Sequence, residues 1–210
     1  MRKFMFLLLA LPLLVLAACG GDGETNPINE ESNKGGGNGS ADSGQSIGHV
    51  EPFEATTQEN EPFTNEDLDG TWWVANFIFT NCETVCLPMT SNMKALQDKL
   101  NDAGIEDVEL ISFSVDPERD TPEVMKEFAE EYGADFSNWT FLTGYEFDEI
   151  KELSLNSFKS LVAPPPEDDD QIAHGTAFFI VNPEGEVLSH HSGLEADSMD
   201  EIAAELERLK

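Results

Sequence analysis

Positive charge is scarce in this chain: 11 lysines and arginines stand against 42 aspartates and glutamates, a formal net charge of −31. A field of that sign repels phosphate backbones and anionic headgroups, so it excludes nucleic acid and peripheral membrane binding. Solvation of an exported protein in a saline or alkaline habitat is the simpler account of the acidity. Cysteine is equally rare. Cys19, Cys82 and Cys86 are the whole supply, too few and too local for a disulfide framework that staples a fold. Only His49, His174, His190 and His191 could add an imidazole to those sulfurs. Long apolar runs are also missing. The run within residues 1–18 (MRKFMFLLLALPLLVLAA) is too short for a transmembrane helix. With Arg2 and Lys3 ahead of it and small residues behind, it has the layout of an export signal.

What is present falls into three parts. Leu16-Ala17-Ala18-Cys19-Gly20 resembles the lipobox of bacterial lipoproteins. That resemblance implies cleavage before Cys19, acylation of Cys19, and a mature protein anchored by lipid to the extracytoplasmic face of the cell membrane. Residues 19–48 are Gly, Ser, Asn and acid with almost nothing to bury, a flexible tether. Residues 49–210 form one expected domain, a size suited to a single core.

In that domain, Thr71–Phe79 (TWWVANFIF) and Val108–Val115 (VELISFSV) are near-continuous apolar runs, as central strands are. Met89, Met93, Leu96 and Leu100 make a helical stripe between them, a pattern that explains the two methionines as core rather than soft ligands. A second helix starts at Asp120-Thr121-Pro122, with Thr121 as cap and Pro122 in the first turn. Glu146–Leu161 reads as a third helix and Ala163–Gln171 (APPPEDDDQ) as a stiff acidic loop. AFFIV, the turn Asn182-Pro183-Glu184-Gly185 and EVLSHH make a hairpin, and Asp197–Lys210 a closing helix. The order predicts an α/β class and a thioredoxin-like fold: a central mixed sheet flanked by helices, with Glu51–Leu68 as an added N-terminal strand pair.

Cys82 and Cys86 follow the first central strand at its carboxyl end, where open α/β sheets place ligands. Pro88 biases Leu87 away from helical angles, so the regular helix is expected to begin at Pro88 with the cysteines in a loop at its N-terminus, which favours thiolate. Such a loop can close a disulfide or offer two thiolates to one metal ion. Soft thiolates select Cu(I), and an added imidazole suits Cu(II). His49 lies at the tether junction, and His190 and His191 end a strand, so all three read as solvated. His174 immediately precedes AFFIV, where thioredoxin-like redox proteins carry a cis-proline. Ala173-His174-Gly175-Thr176 has no proline, which leaves room for an imidazole over the sulfurs.

Three stretches resemble the Sco (SenC) family of copper-binding cytochrome oxidase assembly proteins: FIFTNCETVCLPMT, SVDPERDTP and IAHGTAFFIVNPEGEV. Together and in order they span nearly the whole domain. The resemblance implies that Cys82, Cys86 and His174 are ligands for copper, as Cu(I) and Cu(II). It also implies that the protein, expected as a monomer, serves the copper-bearing subunit of cytochrome c oxidase. One departure is visible: Leu87 stands where the family usually has proline directly after the second cysteine, and the proline follows at Pro88. Asp116 reads either as an acceptor that orients a ligand or as a turn residue.

Two other functions use the same fold. A thiol-disulfide reductase acting on an oxidase subunit would employ Cys82 and Cys86 as a redox-active pair, but would not need His174. A peroxidase of the peroxiredoxin kind needs an arginine beside its thiolate, and the chain offers only Arg2, Arg119 and Arg208.

Overall fold

The computed structural model describes residues 46–210 apart from Glu83. The export signal, Cys19 and most of the tether therefore lie outside the described residues. In chain order the elements begin with β1 (Gly48–His49), β2 (Glu54–Thr57), β3 (Pro62–Thr64), a short 3-10 turn, and β4 (Trp72–Ile78). They continue with α1 (Cys86–Asp102), β5 (Val108–Ser114), α2 (Pro122–Glu131), β6 (Trp139–Thr143) and α3 (Phe147–Phe158). The last are β7 (Val162–Ala163), β8 (Ala173–His174), β9 (Ala177–Val181), β10 (Glu186–Ser192) and α4 (Ser198–Leu209).

The two apolar runs are the central strands. β4 and β5 pair in parallel from Trp72 opposite Val108 to Ile78 opposite Ser114. The eight-stranded sheet runs β1-β10-β9-β4-β5-β6-β2-β3, with β4, β5 and β6 parallel and the remaining neighbours antiparallel. Strand β6 was not among the expected elements, and it gives the second crossover its landing strand. Residues 51–68 supply the expected strand pair, β2 with β3. At the opposite edge Ile47 donates to the Val187 carbonyl (2.7 Å) and β1 pairs with β10, so the sheet takes in two residues placed in the tether on composition.

Aromatic rings fill one face of the sheet. Phe77 of β4 meets Phe113 of β5, Phe158 of α3 and Phe179 of β9 at centroid distances of 5.5, 5.3 and 6.3 Å. The α1 stripe Met89, Met93, Leu96 and Leu100 is fully buried. Thr121 caps α2 by accepting from Val124 N–H, and Pro122 follows as the first helical residue. The hairpin turn closes through Gly185 N–H to the Asn182 carbonyl (2.9 Å), with Gly185 at φ 79°. Helix α3 ends at Phe158, three residues short of expectation, because Lys159 takes the left-handed conformation (φ 54°). No helix of the described residues is long and apolar enough to cross a membrane.

Candidate metal centre

Two residues beyond β4 the chain reaches Thr80, then Asn81 and Cys82, at the carboxyl end of a parallel strand. Helix α1 begins at Cys86, not Pro88. Proline is accepted as the third helical residue because N–H groups of the first turn have no intrahelical acceptor to lose. No side-chain oxygen caps this helix. Instead the Cys86 N–H donates to Cys82 Sγ at 3.3 Å, so the first sulfur serves as the acceptor that a helix N-terminus requires.

His174 comes from β8, a two-residue strand whose partner is β7: Val162 lies opposite His174, and Gly175 N–H donates to the Leu161 carbonyl at 3.1 Å. A Cβ at Gly175 would stand 2.2 Å from Ser160 Oγ, so any larger residue there has to turn that hydroxyl aside. The imidazole stands edge-on to Phe79 (5.7 Å, 85°) and places Nε2 3.2 Å from Cys86 Sγ. Nδ1 lies 2.9 Å from the Gly175 carbonyl. A carbonyl only accepts, so Nδ1 carries the proton and the Nε2 lone pair faces the sulfurs, the arrangement a metal-ligating histidine adopts. The donor atoms of Cys82, Cys86 and His174 all lie within 4.8 Å of one another, close enough for one metal ion to reach all three. Two sulfurs and an imidazole fit a soft or borderline transition metal and suit the hard cations calcium and magnesium poorly.

The two thiols are free and unlike. Burial works against ionisation of Cys82, but contacts with His174, the Cys86 thiol and the backbone N–H groups of Thr84 and Cys86 outweigh it and lower its pKa to about 6. Burial pushes Cys86 the other way, well above the usual thiol range, and its contact with Cys82 adds to the effect. One sulfur is thus a thiolate at neutral pH and its neighbour keeps its proton.

The other sequence candidates lie elsewhere. Asp116 accepts Arg119 N–H and Asp120 N–H at its carbonyl, and its carboxylate meets Arg119 at 3.3 Å. His49 is exposed, and His190 packs against Phe179 (6.1 Å). His191, expected in solvent, is buried between β10 and α4 with Nε2 2.8 Å from Glu205. The strand alternates faces, and the second histidine of the pair points under the closing helix. Met89 and Met93 lie in the core. Arg119 turns to Asp116 and Asp170, at 3.3 and 3.6 Å. The acidic loop is fastened to the cysteine loop: Asn81 donates to Asp170 (2.8 Å) and Gln171 to the Asn81 carbonyl (3.1 Å).

One residue near the site escaped the sequence. Asp120 is fully buried, and its carboxylate receives the Thr80 N–H and hydroxyl and the Ser114 hydroxyl. Its signals were its place in the SVDPERDTP stretch and before the Thr121 cap, where it reads as part of an ordinary helix start.

Comparison with known proteins gives one consistent result. The family model described as SCO1/SenC matches residues 41–210. A SCO1/SenC family lipoprotein from Bacillus anthracis str. Ames is 41% identical, with a TM-score of 0.73 over 77% of this chain and 95% of that one. BsSco, a member of the Sco family of cytochrome c oxidase assembly proteins in which a disulfide switch was identified, is 44% identical (TM-score 0.70, 78% of this chain and 95% of that one). Arabidopsis thaliana ScoI, solved with copper bound, is 25% identical (TM-score 0.66, 78% and 99%). The thioredoxin-like mixed sheet flanked by helices is common to them.

Proposed function

Because the chain belongs to the SCO1/SenC family, we propose that it binds copper through Cys82, Cys86 and His174 and acts as an assembly factor for the binuclear copper centre of cytochrome c oxidase. The observation that carries this is the bare Nε2 of His174 facing Cys86 Sγ at 3.2 Å, with all three donor atoms within 4.8 Å. An imidazole so oriented adds to the two sulfurs the nitrogen donor that Cu(II) prefers. The copper-bound Arabidopsis relative supports the choice of metal, and BsSco the choice of process.

Copper, when bound, is the ion to be handed on. The chain's own residues prepare its seat. Cys82 is already ionised near neutral pH. Cys86 holds its proton until it binds a metal ion or enters a disulfide. Gly175 fixes the tautomer of His174. Closing a Cys82–Cys86 disulfide passes two electrons to an external oxidant, releases the one proton that Cys86 still holds, and removes both thiolate donors, so disulfide and metal compete for the same atoms. Oxidised protein is therefore expected to take up little Cu(II) in a titration that saturates the reduced protein. Equal uptake by both would overturn the shared site.

A second reading, a reductase for the cysteines of an oxidase subunit, is favoured by the unequal thiols: Cys82 is the ready nucleophile, and Cys86 the protonated thiol that resolves the mixed disulfide.

Cys19 is the proposed lipid anchor to the extracytoplasmic face of the membrane, supported by the Leu16–Cys19 lipobox and by the lipoprotein relative. Cys19→Ala is expected to release the protein to the medium. A variant that still sediments with membranes would mean the tether is something else.

A further inference from the structure

We propose that Asp120 is a positioning residue for the metal site, holding the loop that carries Cys82 in the single arrangement that brings it to Cys86 and His174. The inference rests on the metal-binding role proposed above and adds a residue that touches none of the three ligands.

Strand β4 has its last ladder partner at Ile78, opposite Ser114, with Val115 N–H closing on the Ile78 carbonyl at 2.8 Å. Beyond that point the chain leaves the sheet, and the Thr80 N–H needs a new acceptor. Asp120 provides it, at 3.3 and 3.2 Å to its two oxygens, and takes the Thr80 hydroxyl as well at 2.6 Å. The Ser114 hydroxyl, at the end of β5, donates to the same carboxylate at 2.5 Å. The backbone of Asp120 is held equally firmly: its N–H donates to the Asp116 carbonyl (2.9 Å), and its carbonyl accepts from the Thr143 hydroxyl at the end of β6 (2.6 Å). One residue thus joins the carboxyl ends of the three parallel strands.

A buried carboxylate is costly to keep, and here all its hydrogen-bond partners are neutral donors. Burial pushes its carboxyl above the usual range while Ser114 and Thr80 pull it back. Such a group earns retention through what it orders. The segment it orders starts two residues before Cys82, whose sulfur must lie on the Cys86 N–H and within reach of Nε2 of His174. Asp116, four residues earlier, has no such role, because its carboxylate turns to Arg119.

The test uses the full chain carrying Asp120→Asn, Thr80→Val, both together, and Thr80→Ser. Asparagine keeps the volume and one acceptor oxygen but turns the other into a donor. Valine keeps the shape and N–H of Thr80 and removes its hydroxyl. Two quantities are read on reduced, folded protein: Cu(II) affinity, and the equilibrium of the Cys82–Cys86 disulfide against a glutathione buffer, which needs no metal. Each single change is expected to weaken Cu(II) binding roughly three- to tenfold and to make the disulfide less favourable by a similar factor, the scale of residues sharing one hydrogen-bond network. The double variant should lose no more than the worse single one, and Thr80→Ser should stay within about twofold of the unaltered protein. The inference is overturned if both single variants match the unaltered protein in both readouts, if their losses simply multiply, or if Thr80→Ser is as impaired as Thr80→Val. Should the unaltered protein take up no Cu(II), the metal-binding proposal fails, and the glutathione equilibrium still decides the role of Asp120.

Discussion

His174→Ala is expected to lower the Cu(II) affinity of the reduced protein tenfold or more, at least about 1.4 kcal/mol, while the fold and the disulfide chemistry survive. Two thiolates can hold Cu(I) unaided, but Cu(II) prefers a tetragonal field with nitrogen donors, so losing the imidazole penalises the oxidised metal far more than the reduced one. The fold survives because the backbone of His174 makes the β7–β8 pairing and its ring is only half-buried. A titration followed through the thiolate-to-copper absorption band reads both the affinity and the change in ligand field. His190→Ala is the control, since that ring packs against Phe179 on the neighbouring strand. If His174→Ala binds Cu(II) as tightly as the unaltered protein with an unchanged band, His174 is not a ligand and the reductase reading moves ahead.

Phe77→Ala is expected to have the largest effect on stability, roughly 3–5 kcal/mol, read as a lower midpoint in equilibrium urea unfolding. The ring is fully buried and lies against Phe113, Phe158 and Phe179, so removing it opens a cavity where β4, β5, α3 and β9 meet. Edge-to-face and stacked neighbours add to the burial term, and rings fixed on three other elements cannot all collapse into the gap. A loss below about 1 kcal/mol would mean that the cluster rearranges freely, contrary to the close packing of the sheet face.

Much of this domain was legible because its central elements announce themselves in burial. β4 and β5 are buried on both faces and largely apolar, the α1 stripe repeats at helical spacing, and Thr121-Pro122 marks a helix start that propensity and capping both favour. That Cys82, Cys86 and His174 come together was legible for a different reason: cysteine and histidine are so rare in this chain that few constellations exist. What was missed was short or depended on distant chain. Strand β6 is five residues, Trp139–Thr143, and is held by β5 and β2 on either side, partners that no local pattern reveals. The start of α1 was misplaced because the bias that Pro88 imposes on the residue before it was outweighed by a sulfur accepting the first helical N–H. His191 differs from His190 only by the face to which the strand turns it. Asp120 looked like any acid at a helix N-terminus, and its burial comes from three strand ends that meet only in the folded sheet.

The three donor residues are unevenly spaced along the chain. Cys82 and Cys86 remain neighbours however the chain is arranged, but His174 lies 88 positions from Cys86 and reaches it only when β8 is in place. The complete set of three proposed ligands is therefore a property of the native state alone. By linkage, an ion that prefers three donors to two draws the unfolding equilibrium toward the native chain, by up to about 4 kcal/mol at a thousandfold excess over its dissociation constant, less whatever the bare cysteine pair retains in the unfolded ensemble. Under the proposed function, an ion held this way is clamp as well as cargo, and its release returns the β8 end of the domain to its weaker, metal-free stability.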